Sequence, residues 1–211
     1  MRQNYLTVQG YGESEIILSK SRFLTYVSRA ETEEEALAFI DVIKKKHPQA
    51  THNCSCYLIG EHDHIQKAND DGEPSGTAGV PMLEVLKKQQ LKDTVVVVTR
   101  YFGGIKLGGG GLIRAYSKAT SEGIAAATVV ERVMHALMKV SVDYTWLGKI
   151  ENEVRSSHYP LHTIDYLHVV DLFVYVKKEE IDVFSEWMME LTNGQVKVDI
   201  HMEQFLEFPR Q

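Results

Sequence analysis

The spacing of apolar residues changes period several times along the chain, and each change marks an element. Ser14 to Lys20 and Arg22 to Arg29 carry β-branched and aromatic residues in partial alternation around the polar Ser19-Lys20-Ser21, which predicts a hairpin. Thr32 opens a helix: its hydroxyl caps the backbone, Glu35 reaches back as the other half of a capping box, and Ala36, Phe39, Ile40 and Ile43 share one face. Lys44, Lys45 and Lys46 suit the electronegative last turn as a solvated helix end, and Pro48 stops it. Thr51 to Ile59 reads as a strand, Gly60 to His64 as a turn and Ile65 to Ala68 as the return strand. After a dense turn cluster from Asp70 to Gly79, Pro81 falls in the first turn of a short helix holding Met82, Leu83, Val85 and Leu86. Val95 to Val98 is wholly apolar and β-branched, the pattern of a central strand covered on both faces. From Leu112 the small residues Ala115, Ala119, Gly123 and Ala126 recur every three or four positions, predicting a helix packed closely on a sheet.

The character changes near Glu131 to His135. The C-terminal third reads as strand (Leu137 to Tyr144), helix (Trp146 to Ser157), two strands (His162 to His168 and Val170 to Lys177), helix (Glu180 to Thr192) and strand (Gln195 to Met202). That βαββαβ order is a split ferredoxin-like unit, with Asn193-Gly194 stopping its second helix. Trp146, Trp187, Met188 and Met189 are expected in helix core. The domain expectation is therefore 1–134 and 135–211, in an α+β chain.

The 211 residues are 44% hydrophobic, enough for genuine cores. No apolar run reaches membrane-spanning length and Met1 to Gly10 lacks signal-peptide character, so a soluble, cytoplasmic protein with no membrane partner is expected. Cys54 and Cys56 are the only cysteines, and on one strand they have poor geometry for bridging each other. Charge is uneven: residues 1–135 hold 16 basic against 16 acidic side chains, residues 136–211 hold 7 against 13. Such a chain does not coat nucleic acid nonspecifically, because counterion release needs a broad basic surface, so phosphate recognition has to be local. The acidic C-terminal domain fits a protein partner better than RNA.

The candidate for that local site is the strand, glycine-rich loop and helix from Thr99 to Tyr116. Gly103, Gly104, Gly108, Gly109, Gly110 and Gly111 let successive N–H groups converge, and the helix after them adds the positive end of its dipole. Arg100 at the strand end, Lys106 in the loop and Arg114 in the first helical turn supply charge, while Tyr101 or Phe102 offers a stacking surface. The spacing matches neither the nucleotide P-loop nor the dinucleotide fingerprint, so ATP and NAD are not indicated and no cofactor is assigned.

Two further clusters carry chemistry. Asp70, Asp71 and Glu73 lie beside Ser75 and Thr77; the acids suit a solvated turn and helix cap first, or else Mg²⁺ or acid–base work, and the hydroxyls would widen an anion pocket. His52, Cys54 and Cys56 share one strand face, where zinc needs a second ligand segment that the spacing does not supply; no metal is assigned, and His52 is kept as an acid–base candidate.

Lys20-Ser21-Arg22-Phe23, His47-Pro48 with Ala50 to Cys54, the run Asp71 to Gly79, and Thr99 to Gly104 continuing through Gly111-Leu112 to Arg114-Ala115-Tyr116 resemble the signature blocks of the Impact family. The resemblance covers residues 1 to about 130, and the remainder resembles the small C-terminal domain of the family's bacterial members. It implies a ribosomal protein S5 domain 2-like N-terminal domain and a ferredoxin-like C-terminal domain, a pair also found in the last two domains of ribosomal translocase elongation factors. The eukaryotic relatives regulate translation by restraining a kinase that acts on an initiation factor. What carries over is contact with RNA or the ribosome through the shared domain.

Two functions fit these residues. The first is a non-enzymatic, translation-associated binding protein with no catalytic residues, gripping RNA phosphate through Arg100, Lys106, Arg114 and the glycine backbone, with Lys20 and Arg22 widening the surface. The second is an enzyme acting on a small phosphorylated or carboxylated substrate, with Asp70, Asp71, Glu73 or His52 as acid–base groups.

Overall fold

A computed structural model describes residues 4–210. In chain order the elements are β1 (Tyr5–Val8), β2 (Gly12–Leu18), β3 (Ser21–Arg29), α1 (Glu33–Lys46), β4 (His52–Ile59), β5 (Ile65–Asn69), α2 (Gly79–Lys88), β6 (Thr94–Tyr101), α3 (Gly108–Ala126), β7 (Val129–Val142), α4 (Tyr144–Ser156), β8 (Leu161–Tyr166), β9 (Val170–Lys177), α5 (Ile181–Leu191) and β10 (Lys197–Pro209). They form two compact units: one runs to Arg132 and resumes at Glu207, the other is Val133–Leu206. The sequence places everything after 135 in one domain, whereas the tail from Glu207 returns to the first unit. The physical reason is long-range: the Glu207 carboxylate takes Arg29 Nη1 at 2.5 Å, and Arg210 N–H donates to the Val129 carbonyl at 2.9 Å.

The first unit is ribosomal protein S5 domain 2-like, built on an antiparallel sheet in the order β2-β3-β6-β4-β5. Strand β6 is central, and its alternation sends Val96 and Val98 to one face and Val95 and Val97 to the other. On the first face α2 and α3 lie over Phe23, Val27, Cys54, Cys56 and Leu58; on the second Ala36, Ile40 and Ile43 of α1 lie over Tyr26, Tyr57 and Ile59. Helix α1 begins as the capping box requires: Thr32 Oγ1 accepts the Glu35 N–H at 3.2 Å, and Glu35 Oε2 accepts from Glu31 N at 2.8 Å, one residue earlier than the motif's usual partner. The hairpin closes on two residues, Ser19 and Lys20, both at positive φ, as the right-handed twist of the strands favours. Small residues seat α3 as expected: a Cβ on Gly123 would stand 2.4 Å from Thr25 Cγ2.

The second unit is ferredoxin-like. Its sheet runs β10-β7-β9-β8, and Ile150, Val154, Phe184 and Met188 from α4 and α5 cover the face formed by Met138, Val140, Leu172 and Val174. Trp146 and Trp187 pack against that core, but Met189 points to solvent, being one position round the helix from buried Met188. Among the described residues no helix is long and apolar enough to cross a membrane.

Candidate functional site

The acidic turn before α2 is held by its own side chains. Asp70 turns back on the chain: one carboxylate oxygen accepts from Gly76 N at 2.8 Å, the other from Ala78 N at 3.0 Å and Gly79 N at 2.8 Å. Burial acts to raise its pKa, but these three backbone donors outweigh it and hold Asp70 below the ordinary carboxylate value. Asp71, at positive φ, receives Lys44 Nζ at 2.9 Å and the Asn53 N–H at 2.7 Å. Both carboxylates are therefore engaged by the fold. Thr77 Oγ1 donates to the Pro74 carbonyl at 2.6 Å and Ser75 is exposed.

Beneath that turn lies a buried polar cluster. Glu73, 8% exposed, takes Arg100 Nη1 at 2.6 Å and the Tyr116 hydroxyl at 2.8 Å on the same oxygen, while its other oxygen faces His52 Nε2 at 3.7 Å. The Asp71 carbonyl can only accept, so His52 Nδ1, 2.9 Å away, carries the proton that it donates. Burial next to Cys54 and Glu73 pushes the Tyr116 phenol far above its ordinary value, so it stays a donor. The Cys54 thiol, placed against the Asp70 carbonyl and Tyr116, is pushed by burial up to about 12 and is no nucleophile at neutral pH. Among the described residues no three His, Cys, Asp or Glu side chains are grouped to hold a metal ion.

Arg100 corrects the sequence expectation. Only 5% exposed, it is committed to Glu73, donates to Ser21 Oγ at 3.3 Å, and lies between the rings of Phe23 and Phe102 at 5.3 and 5.4 Å. It is a structural cation in the floor of a cleft, because a buried guanidinium needs a counter-charge and Glu73 supplies one. The cleft measures about 400 Å³ and is lined by Thr51, His52, Glu73, Pro74, Arg100, Phe102, Lys106, Leu107, Gly108, Gly109 and Leu112.

Helix α3 starts at this cleft, and earlier than the sequence indicates. Gly108 to Gly111 are its first turn rather than a loop, and Arg114 therefore sits in the second turn. Glycine disfavours helix by roughly 1 kcal/mol per residue, so pattern reading stops short of it. At Gly111 the packing is tight, since a Cβ would come to 3.0 Å from Leu107 Cβ. No side chain caps this end and its first turn holds no acid, while Gly108, Gly109 and Gly110 are exposed. Their N–H groups lack intrahelical partners. Lys106 and Arg114 are exposed beside them, with no ion-pair partner among the described residues.

The remaining sequence candidates divide. Gly103 fits against the Lys20 carbonyl, where a Cβ would stand at 2.0 Å, and its N–H donates to Ser21 Oγ at 3.2 Å, so the Lys20 turn adjoins the loop. Gly104 adopts positive φ. Arg22 is occupied by Glu15 at 2.7 Å. Tyr101 lies on the α1 face, its hydroxyl 2.9 Å from His47 Nδ1, so the exposed ring is Phe102. Sequence reading missed Thr51, Ser21 and Tyr116; each lies inside a signature block, which was the signal available.

The chain matches the model of the Impact N-terminal domain over residues 19–124 and that of a domain of unknown function (DUF1949) over residues 140–195. The IMPACT family member YvyE of Bacillus subtilis (strain 168) is 63% identical over 194 residues, spanning 92% of this chain and 89% of that one. An IMPACT family member from Haemophilus influenzae is 34% identical over 87% of this chain and 90% of its own. A solved structure described as a hypothetical protein aligns with 96% of this chain and 99% of its own at 28% identity and a TM-score of 0.61. Signature blocks, paired domains and full-length relatives agree, and this chain belongs to the Impact family.

Proposed function

We propose that this protein is a non-enzymatic, translation-associated binding protein of the cytoplasm that receives RNA phosphate, on the ribosome or free, at the start of α3. The observation that carries this reading is the uncapped, acid-free glycine turn of a 19-residue helix, open to solvent beside Lys106. Such a terminus presents convergent donors and about half a positive charge. Arg114 and Lys20, both exposed, add cations around it, while Arg100 acts from below by holding Phe102 and Glu73 in place. The translation setting comes from the family. The second unit, with its surplus of acid, is assigned to a protein partner.

Binding of labelled ribosomes and of RNA tests it. Lys106→Ala with Arg114→Ala weakens binding about tenfold at moderate salt and reduces the salt slope by roughly 1.5. Affinity equal to wild type at low and moderate salt sinks the reading.

A second reading has one observation in its favour, the pairing of His52 Nε2 with Glu73 in the cleft wall. It makes the protein an enzyme on a small phosphorylated or carboxylated substrate, with His52 as the base. Turnover found in a metabolite screen and lost in His52→Gln supports it; turnover that survives His52→Gln removes it.

A further inference from the structure

We propose that the cleft at the start of α3 is a receptor for one nucleoside 5′-monophosphate group, the phosphate on the α3 amides and Lys106 and the base on Phe102. This rests on the phosphate-binding function proposed for the same site and narrows it to a chemical class. Four features combine. At about 400 Å³ the cleft is the size of a small-molecule site and holds one nucleotide rather than a strand. Its anion-binding side carries an uncapped helix end plus a lysine, which together favour a phosphomonoester of charge about −1.5 to −2 over a singly charged diester.

The opposite side is apolar and aromatic. Pro74 and Phe102 line the cleft away from α3, with Leu107 and Leu112 of the helix start as further apolar lining, and Phe102 stands 46% exposed with Arg100 against its ring and its N–H fixed to Thr51 Oγ1 at 3.0 Å. A ring pinned on one side and open to solvent is a stacking platform for a base. The fourth feature is Arg100 itself: it lines the cleft, is nineteen-twentieths buried, and its Nε has no hydrogen-bond partner. The one acid among the cleft's lining residues, Glu73, has its charge balanced by Arg100 and also accepts from the Tyr116 hydroxyl. His52 Nε2 remains as a polar contact on the same wall.

The group can come from the 5′ end of an RNA or from a free nucleotide. Fluorescence polarisation with a short 3′-labelled RNA, made with a 5′ phosphate and with a 5′ hydroxyl, reads the difference. The phosphorylated form binds about tenfold tighter, and Phe102→Ala weakens it about tenfold while Phe102→Tyr restores it. AMP competes far better than inorganic phosphate. AMP binding as tight as the phosphorylated RNA identifies the free nucleotide, and tighter RNA binding identifies the strand end; either supports the assignment. Equal affinity for the two RNA forms overturns it and leaves phosphate binding by the helix intact. Inorganic phosphate competing as well as AMP also overturns it. Loss of all RNA binding with AMP binding retained removes the RNA reading and keeps the nucleotide site.

Discussion

Helices α2 and α3 lie on the same face of the same sheet and begin close together: a Cβ on Gly109, at the start of α3, would stand 3.9 Å from Thr77 Cγ2, just before α2. Neither has an acid in its first turn, but their beginnings differ in what reaches them from outside the helix. The approach to α2 folds Asp70 onto its own donors, so the Ala78 and Gly79 N–H groups at the helix start and the Gly76 N–H in the turn before it are satisfied within the chain. The start of α3, almost twice as long, has no acid and no cap, and four glycines occupy it at a cost in helix propensity. A fold selected for stability alone would place an acid at both, since each is stabilised by one. Donors at the first helix start are taken up within the chain, whereas no side chain caps the second.

The strongest attack on this contrast is on the polar cluster that supports both helices. Glu73→Ala strands the Arg100 guanidinium and the Tyr116 hydroxyl in the interior and costs about 3–5 kcal/mol in chemical denaturation. Glu73→Leu combined with Arg100→Met recovers most of that loss, because a buried pair is more harmful broken than replaced. Next comes the cap. Asp70→Ala costs about 1–2 kcal/mol at neutral pH. Asp70 is held below its ordinary value of 3.8, so its stabilisation is complete above that pH and fades as the pH falls through 3.8 towards the folded value. The gap between wild type and Asp70→Ala in urea therefore closes on acidification; a gap constant to low pH contradicts the cap.

The smallest energetic effect is the most telling. Gly109→Asp places in α3 the acid that it lacks, at a backbone position without positive φ and with room for a side chain. Stability rises by about 0.3–1 kcal/mol while RNA and AMP binding are lost. A destabilised variant, or one that binds normally, would remove the distinction between the two helix starts.

How much of the fold and the site is legible in the chain depends on distance along it. The Thr32 cap, the Val95–Val98 strand and the βαββαβ order are written in neighbouring residues and appear where the pattern puts them. The start of α3 is obscured by propensity, since four glycines read as a loop until Leu107 and the cleft are in view. The commitment of Arg100 to Glu73, 27 positions away, is invisible because charge in a sequence carries no address. Phe102 and Tyr101 illustrate the same limit: adjacent aromatics at one strand end, indistinguishable by type, face different surroundings once β6 is in register.

The return of the tail at Glu207 bears on how the protein is made. A ribosome emits the first unit's strands and helices, then the whole of Val133–Leu206, and only afterwards the residues that bind Arg29 and Val129. The usual order, in which N-terminal domains finish folding first during synthesis, is therefore altered. Here the unit begun first receives the residues from Glu207 onward only after the second unit has been synthesised in full.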